Sequence, residues 1–338
     1  MSATHRAPGT IKRTSGIGGS DIAVLCGLSK YKTPYQLYLE KRGELDGEIE
    51  DTTRLRFGRR LEKPVADEFA FITGRKVWRE RTTQRHPVHK FLLANIDRWQ
   101  EKPDGALRGV YEGKTVNYNL RPLWTQGGVP DSYYLQLQHY LSVTGCQFGS
   151  FGVLFGLDDF HFFDIDRDEQ TIQTLTNLAV EFWRGVKNGT PPDWTFGEAG
   201  HALAKRLYAK ATPKKAILLE GVEAEVKIKR LLQLKQAIKA REAEEKNLTT
   251  WLQVQMQDAE IATFFNLAKI SWKNSTSNRI DLTALKAKYP AIAEELTKPS
   301  ESRRFLITVI DSSVIEEDKT IDQPFIITSG VRAISLDE

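Results

Sequence analysis

The sequence predicts an α/β protein with a mixed central β-sheet flanked by helices. This fold class follows from the order of the predicted elements: helices, a meander of short strands, a helix, two more strands and another helix. The 338 residues, 40% of them hydrophobic, are enough to bury a sizeable core. The same length allows one large or two modest domains.

The first elements are signalled by glycine and proline. Residues 1–12 are expected to be a flexible lead-in, and residues 15–21 form a glycine-rich turn. The last two residues of that turn, Ser20 and Asp21, are both candidate caps of a short helix, and a helix N-terminus flanked by glycines suits an anion. A second helix is expected over residues 34–43, from a proline at its first position to a terminal glycine.

A longer helix is expected from about Leu55 to Gly74, because apolar residues recur there at helical spacing. Pro64 lies in its middle, so one helical piece is expected to end near Glu62 and a second to begin there.

The sheet and its remaining helices are predicted downstream. Helices are expected at residues 130–145 and 168–187. Strands are expected at residues 76–81, 91–99, 107–116, 149–156 and 161–166.

A domain boundary is predicted near the paired prolines of residues 189–193. We therefore expect one domain over residues 13–195 and a C-terminal extension over residues 196–338. Residues from about 212 to 258 are predicted to form a long helical arm, either antiparallel or between subunits, since both charge signs are interleaved along it.

The end of the extension is expected to be a small α/β element. A helix is predicted at residues 282–296, and short strands at residues 270–273 and 303–308 are expected to pair.

Composition limits the cellular setting. No run approaches the roughly 18 apolar residues of a membrane helix, and no signal peptide is recognisable, so a cytoplasmic protein is expected. Cys26 and Cys146 show no metal-binding spacing, which argues against a disulfide framework or structural zinc. A net charge of +4 is too mild to predict a nucleic-acid partner by itself.

Three charged residues on a predicted hairpin form the main candidate site. Side chains at i and i+2 of a strand share a face, so Glu112 and Lys114 should project together toward Asp97 on the preceding strand. Glu62 is a possible fourth member from the helix before them. The alternating charges are also compatible with a solvated sheet face; however, each acid follows apolar sequence, where an unpaired charge is costly. A divalent cation held by the carboxylate oxygens resolves that cost.

The predicted helix at residues 130–145 supplies a second set. Gln136 and Tyr140 lie one turn apart on one face and suit hydrogen bonding to phosphate oxygens or to metal-bound water. The alternative is an ordinary amphipathic helix with incidental polar residues.

Arginines crowd a short segment just before Glu62, among them Arg54 and Arg59. They are either a solvated basic face or a rim that contacts phosphate groups.

Six motifs occur along the chain in a fixed order. They are Arg13 with Gly16-Ile-Gly-Gly-Ser20-Asp21, Tyr31-Lys-Thr-Pro-Tyr35, Phe57-Gly58-x-x-Leu61-Glu62, Ala94-Asn95-Ile96-Asp97, Glu112-Gly113-Lys114 and Gln136-Leu-Gln-His-Tyr140. Together they resemble the YqaJ-type viral recombinase family, which is related to phage lambda exonuclease in the PD-(D/E)XK nuclease superfamily. The resemblance extends from about Arg13 to Trp194.

The resemblance implies a restriction-endonuclease-like core and a metal site. Glu62, Asp97 and Glu112 match the family's carboxylate ligands, and the Gly113 carbonyl would add another oxygen to a site for two Mg²⁺ ions, for which Mn²⁺ is expected to substitute. Lys114 matches the catalytic lysine. Relatives usually carry a larger apolar residue in place of Gly113.

The resemblance also implies how a DNA end is held. Arg13, Ser20 and Gln136 match positions that bind the 5′-phosphate in lambda exonuclease, and Asn95 stands where that enzyme has a serine. Tyr140 is expected to contribute to the same surface.

The implied activity is 5′-to-3′ digestion of one strand of duplex DNA, starting from an end and leaving 3′ single-stranded tails. The implied partners are double-stranded DNA ends, a RecT- or Beta-like annealing protein for phage-type recombination, and further copies of the chain in a homo-oligomer, with a trimer as one candidate. Two alternatives stay open: a PD-(D/E)XK endonuclease that nicks DNA internally, and a non-catalytic scaffold that binds DNA ends.

Overall fold

The computed structural model describes residues 13–47, 51–80, 82–103, 105, 107–265, 267–277, 280–298 and 305. The described residues fall into two compact units, which divide between Leu207 and Tyr208.

The first unit contains a five-stranded sheet in the order β1-β4-β5-β6-β7. The pair β5 and β6 is parallel and the other pairs are antiparallel, so the predicted mixed sheet is confirmed. A separate two-stranded ladder joins β2 to β3. The strands are β1 (Lys76–Trp78), β2 (Gln84–Arg85), β3 (Leu93–Ala94), β4 (Arg98–Glu101), β5 (Arg108–Val116), β6 (Phe148–Phe155) and β7 (Asp159–Asp166).

Helices cover both faces of this sheet. Short 3₁₀ turns occur at Arg13–Ser15 and Tyr118–Leu120. The helices of the unit are α1 (Gly19–Leu25), α2 (Pro34–Arg42), α3 (Thr53–Thr73), α4 (Arg121–Thr125), α5 (Asp131–Thr144), α6 (Glu169–Asn188) and α7 (Glu198–Leu207).

Pro64 does not divide α3, contrary to the break predicted near Glu62. The buried residues of the helix, Val65, Ala66 and Phe69, all follow the proline and pack on the sheet. Their burial outweighs the one backbone hydrogen bond that the proline removes.

The predicted strand over residues 91–99 is wrong as a single element. Its first part is β3, which pairs with β2, and its end opens β4, which pairs with β1 and β5. Asn95, Ile96 and Asp97 lie between these strands. The change of ladder places Asp97 at the start of β4, beside β5.

The two sheet faces have different cores. On one face, α5 and α6 enclose the larger cluster, with Leu137 directly over Gly149. On the other face, α3 packs Ala66 and Phe69 onto Tyr111.

A polar network fixes the end of α3 to the sheet. The Arg75 guanidinium donates to Gln100 Oε1 and Ser150 Oγ, both at 3.0 Å, and forms an ion pair with Asp164. These acceptors lie on β4, β6 and β7, so a single side chain just after α3 connects the helix to three strands.

The second unit begins with α8 (Val222–Met256), a helix of 35 residues. Residues 212–221 of the predicted arm lie outside it. A hairpin of β8 (Ile261–Phe264) and β9 (Ala268–Ser271) follows, so the strand expected near residue 270 pairs with β8, whereas residues 303–308 other than Phe305 lie outside the described chain. The helix predicted over residues 282–296 is two helices, α9 (Leu282–Lys288) and α10 (Pro290–Leu296).

A search of the described residues finds no helix long and apolar enough to cross a membrane.

Candidate active site

Strand β5 carries two charged side chains on one face. The Lys114 ammonium donates to Glu112 Oε1 at 2.8 Å, which confirms the shared face predicted from strand alternation. The residues between and before them, Gly113 and Tyr111, point to the opposite face, where Tyr111 meets α3. The alternation of β5 thus places Glu112 and Lys114 on the side of α5 and Tyr111 on the side of α3.

Glu112 is the most buried acid of the site, with 5% of the residue exposed. Its Oε1 also accepts a hydrogen bond from Gln136 Nε2 at 3.0 Å, and the same amide donates to Tyr140 Oη at 2.9 Å. The other carboxylate oxygen, Oε2, is buried without a hydrogen-bond partner. Helix α5 therefore orients Glu112 through Gln136 and leaves one oxygen for another ligand.

Asp97 reaches β5 from the start of β4. Its Oδ2 accepts a hydrogen bond from the Gly113 backbone amide at 3.0 Å. Burial raises the pKa of Asp97, while Lys114 and the Gly113 amide oppose that rise. Burial and then the nearby Asp97 raise the pKa of Glu112 to about 7. Ionisation of either acid therefore makes ionisation of the other less favourable, because both lie where water is largely excluded.

The Lys114 ammonium balances this negative charge. Burial lowers the pKa of Lys114, but the Glu112 carboxylate more than offsets this, so the pKa lies above its ordinary value. The ammonium also lies 5.0 Å from the centre of the Tyr133 ring. Lys114 is held as a cation.

Glu62 extends the site from α3. Burial first, and then Asp97, raise the pKa of Glu62, which indicates that the two carboxylates interact. Glu62 Oε2 lies 3.3 Å from Arg79 Nη2, an ion pair that tethers the side chain. The structure thus places Asp97, Glu112 and Lys114 side by side at β5, with Glu62 close enough to Asp97 for their charges to interact.

Glu112 offers one oxygen that suits a hard divalent cation. Among the described residues, no three Asp, Glu, His or Cys side chains are placed to hold a metal ion together. Glu112 is instead engaged through Oε1, and its Oε2 has no partner. An orphaned carboxylate oxygen beside a second acid of raised pKa is the oxygen chemistry that Mg²⁺ satisfies.

The glycine-rich turn lies against α5. A Cβ on Gly19 would stand 2.4 Å from Tyr140 Cε1 and 2.9 Å from Gln136 Cγ, so only glycine allows this approach. Ser20 is exposed one residue later. The helix cap predicted at Ser20 or Asp21 is instead Gly18, whose amide donates to the Asp21 carboxylate.

The other predicted DNA-contacting residues are peripheral. Asn95 is exposed, and its Oδ1 accepts a hydrogen bond from Thr83. Arg54 and Arg59 are exposed in the first turns of α3, where Arg59 forms an ion pair with Asp51. The Arg13 side chain lies outside the described residues.

Three contacts of the site escaped the sequence reasoning: Arg79 on Glu62, Tyr133 beside Lys114, and Lys41 on Asp21. Tyr133 lies within the helix that was predicted to carry Gln136 and could have been found from its spacing. Arg79 and Lys41 are remote in sequence from their partners and belong to no recognised motif.

Solved structures of two exonucleases resemble this chain in fold comparison. The alkaline exonuclease LHK-Exo from Laribacter hongkongensis is 17% identical with a TM-score of 0.44, and the match covers 58% of this chain and 95% of that one. A phage related exonuclease from Haemophilus somnus 129PT is 12% identical with a TM-score of 0.42, covering 51% of this chain and 94% of that one.

Sequence comparison gives a closer relationship. Residues 11–147 match the model of the YqaJ-like viral recombinase domain. The protein YqaJ of Bacillus subtilis (strain 168) is 36% identical over 299 residues, which are 87% of this chain and 92% of that protein. The matched residues include Glu62, Asp97 and Glu112. The chain therefore belongs to the YqaJ-like viral recombinase family.

Proposed function

We propose that this protein is a Mg²⁺-dependent exonuclease that digests one strand of linear duplex DNA from its 5′ end. The observation that carries the proposal is the convergence of Glu62, Asp97, Glu112 and Lys114 beside β5, with Glu112 Oε2 buried and without a partner. Membership of a viral recombinase family supports a role in DNA processing.

The carboxylates and the Gly113 carbonyl would hold up to two Mg²⁺ ions, with Mn²⁺ as a substitute. When bound, such ions supply Lewis-acid catalysis and offset the negative charge that develops on the scissile phosphate. The donor set contains only oxygen atoms, which suits these hard cations.

The role of Lys114 follows from its protonation. Its raised pKa keeps a proton on Nζ, so the side chain acts as a hydrogen-bond donor that orients the attacking water and stabilises negative charge in the transition state. The Gln136 amide fixes the Glu112 carboxylate at 3.0 Å, and Arg79 restrains Glu62. Preorganisation of this kind lowers the barrier because the dipoles need not rearrange during the reaction.

The direction of digestion would come from a pocket for the 5′-phosphate. Arg13, Ser20 and Gln136 are the proposed phosphate contacts, and the close approach of Gly19 to Gln136 supports this. Gln136 would exchange its hydrogen bond to Tyr140 for one to the phosphate. Each hydrolysis leaves a new 5′-phosphate, which the same pocket can accept.

The surrounding surface would guide the duplex. Arg54 and Arg59 on the exposed first turns of α3 would contact backbone phosphates, with the exposed Asn95 nearer the site. Tyr140 is buried and would act through its hydrogen bond with Gln136. The 3′ tails produced are the substrate of a RecT- or Beta-like annealing protein, which we propose as the partner. Assembly into a homo-oligomer, with a trimer as one form, belongs to the same proposal.

Digestion of linear and circular duplex DNA tests this function. Purified protein should degrade the linear form only when Mg²⁺ is supplied and should leave covalently closed circles intact. Glu112→Gln and Lys114→Ala should abolish digestion while retaining binding to DNA ends. Glu68→Gln, an exposed acid on α3, is the matched control and should digest at the wild-type rate. Cleavage of circles at the rate of linear DNA would instead favour an endonuclease.

A further inference from the structure

A buried ion pair lies behind the glycine-rich turn. Lys41 on α2 has a side chain only 5% exposed, and its Nζ lies 2.6 Å from Asp21 Oδ2. The same carboxylate oxygen accepts the Gly18 amide at 3.0 Å. One oxygen thus receives a buried cation and a backbone donor of the turn.

The turn is fixed on two other sides. Ile17 forms a parallel bridge to Leu92, with its amide 2.7 Å from the Phe91 carbonyl oxygen. Gly19 presses on Tyr140 and Gln136. On the side facing α2, Asp21 joins the turn to Lys41, so this contact adds to the support of the segment that carries Ser20.

The ion pair also has an electrostatic consequence. Asp21 follows Ser20 directly in the chain, so its negative charge lies one residue from the hydroxyl proposed to contact phosphate. A carboxylate at that place would repel an incoming phosphate if it were not neutralised. The Lys41 ammonium supplies the opposite charge from within the protein, where solvent screening is weak.

We infer that Lys41 is a positioning residue that sets the selectivity of the turn for a 5′-phosphate, by neutralising Asp21 and by holding its carboxylate on the Gly18 amide. The inference rests on the proposed function, because it concerns the same phosphate pocket. Lys41 itself does not touch the substrate.

Binding to matched DNA ends tests the inference. Full-length protein is titrated, with chelator present to prevent digestion, into fluorescent duplexes that differ only in a 5′-phosphate or 5′-hydroxyl. The measured quantity is the ratio of the two dissociation constants. Wild type should prefer the phosphate, and Lys41→Met should reduce this preference about five- to tenfold, since it uncovers one charge beside the pocket. Lys41→Arg should restore the preference to within about twofold of wild type.

Asp21→Asn separates charge from simple loss of structure. The asparagine oxygen can still accept the Gly18 amide, and the negative charge of Asp21 is removed, so the preference for the phosphate should rise. The double variant Lys41→Met/Asp21→Asn should lie closer to wild type than Lys41→Met does. A fall with Asp21→Asn equal to that of Lys41→Met would overturn the electrostatic role.

Lys32→Met is the matched control. Lys32 is also a partly buried lysine, paired with Glu40 at 2.6 Å, but it does not contact the turn. Its loss should leave the preference unchanged, and an equal effect of Lys32→Met and Lys41→Met would overturn the inference. The inference would also be overturned if wild type showed no preference for the phosphate, or if folded Lys41→Met kept the full preference.

The two proposals fail in different ways. Digestion is measured on the same preparations with Mg²⁺ added. Wild type that discriminates between ends in binding but leaves DNA intact would refute the nuclease, whereas Lys41→Met that digests DNA yet has lost the preference would support both proposals.

Discussion

Replacing Tyr111 with phenylalanine should stabilise the protein. Tyr111 is fully buried between the sheet and α3, and its hydroxyl has no hydrogen-bond partner. Its ring packs 4.7 Å from the ring of Phe69, and this contact does not involve the hydroxyl. The substitution therefore removes the unsatisfied group and keeps the packing.

The size of the effect follows from the cost of an unpaired buried hydroxyl. An unpaired buried hydroxyl lowers protein stability by about 1–3 kcal/mol. Removing it leaves a small cavity, which makes the net increase in stability smaller than this. We expect Tyr111→Phe to raise the free energy of unfolding by about 1–2 kcal/mol. In a unit of this size, that corresponds to an increase in melting temperature of about 2–8 °C.

Tyr140→Phe provides a matched comparison of opposite sign. Tyr140 is also buried, but its hydroxyl accepts the Gln136 amide at 2.9 Å. Its loss should lower stability by about 1 kcal/mol. Differential scanning calorimetry of the two variants and wild type measures both changes. A Tyr111→Phe protein that melts at or below the wild-type temperature would show that the hydroxyl has a stabilising partner and would refute the reasoning.

Two further predictions concern buried groups near the site. Burial lowers the pKa of His139 to about 4, below its ordinary 6.5, so the unfolded chain takes up this proton at a higher pH than the folded protein. The free energy of unfolding should therefore be highest above about pH 6.5 and fall by up to about 3 kcal/mol toward pH 4. His139→Gln, which can still donate to the Leu93 carbonyl, should flatten that decline in urea titrations across this range, whereas the exposed control His201→Gln should not. Gly152→Ala should destabilise by about 1–3 kcal/mol, because its Cβ would lie 2.4 Å from the Tyr111 hydroxyl, and adding Tyr111→Phe should recover part of the loss in the same melting assay.

The charged face of β5 was predictable because it depends only on strand alternation. Glu112 and Lys114 are two residues apart, and any regular strand places them together. The extent of their burial was less predictable, although the apolar residues around them suggested it. The contact of Gln136 with Glu112 depends on the packing of α5 and is seen only in the structure.

Local rules failed where tertiary packing decided the outcome. Pro64 is a helix breaker by local chemistry, yet the helix continues because the residues after it are buried against the sheet. The apolar run at residues 91–99 looks like one strand. Its first part instead pairs with β2 and its end pairs with β5, and Asp97 lies between the two parts. The local sequence does not determine which neighbouring strand a residue pairs with.

Long-range partners could not be read from the sequence at all. Lys41 and Asp21 are 20 residues apart and meet only because α2 packs behind the glycine-rich turn. The surroundings of Gly113 are another example, since a Cβ at this position would lie at ordinary contact distances from Tyr111 and Val65. Such contacts require the three-dimensional arrangement.

The most direct test of the central claim is a strand-specific digestion. A linear duplex carries a 5′-phosphate on one strand only, and each strand bears a different fluorophore at its 3′ end. With Mg²⁺, wild type should shorten the phosphorylated strand from its 5′ end and leave the other strand intact as a single-stranded tail. Glu112→Gln should leave both strands at full length. Digestion by Glu112→Gln at the wild-type rate, or equal loss of both strands, would contradict the proposed site and its direction.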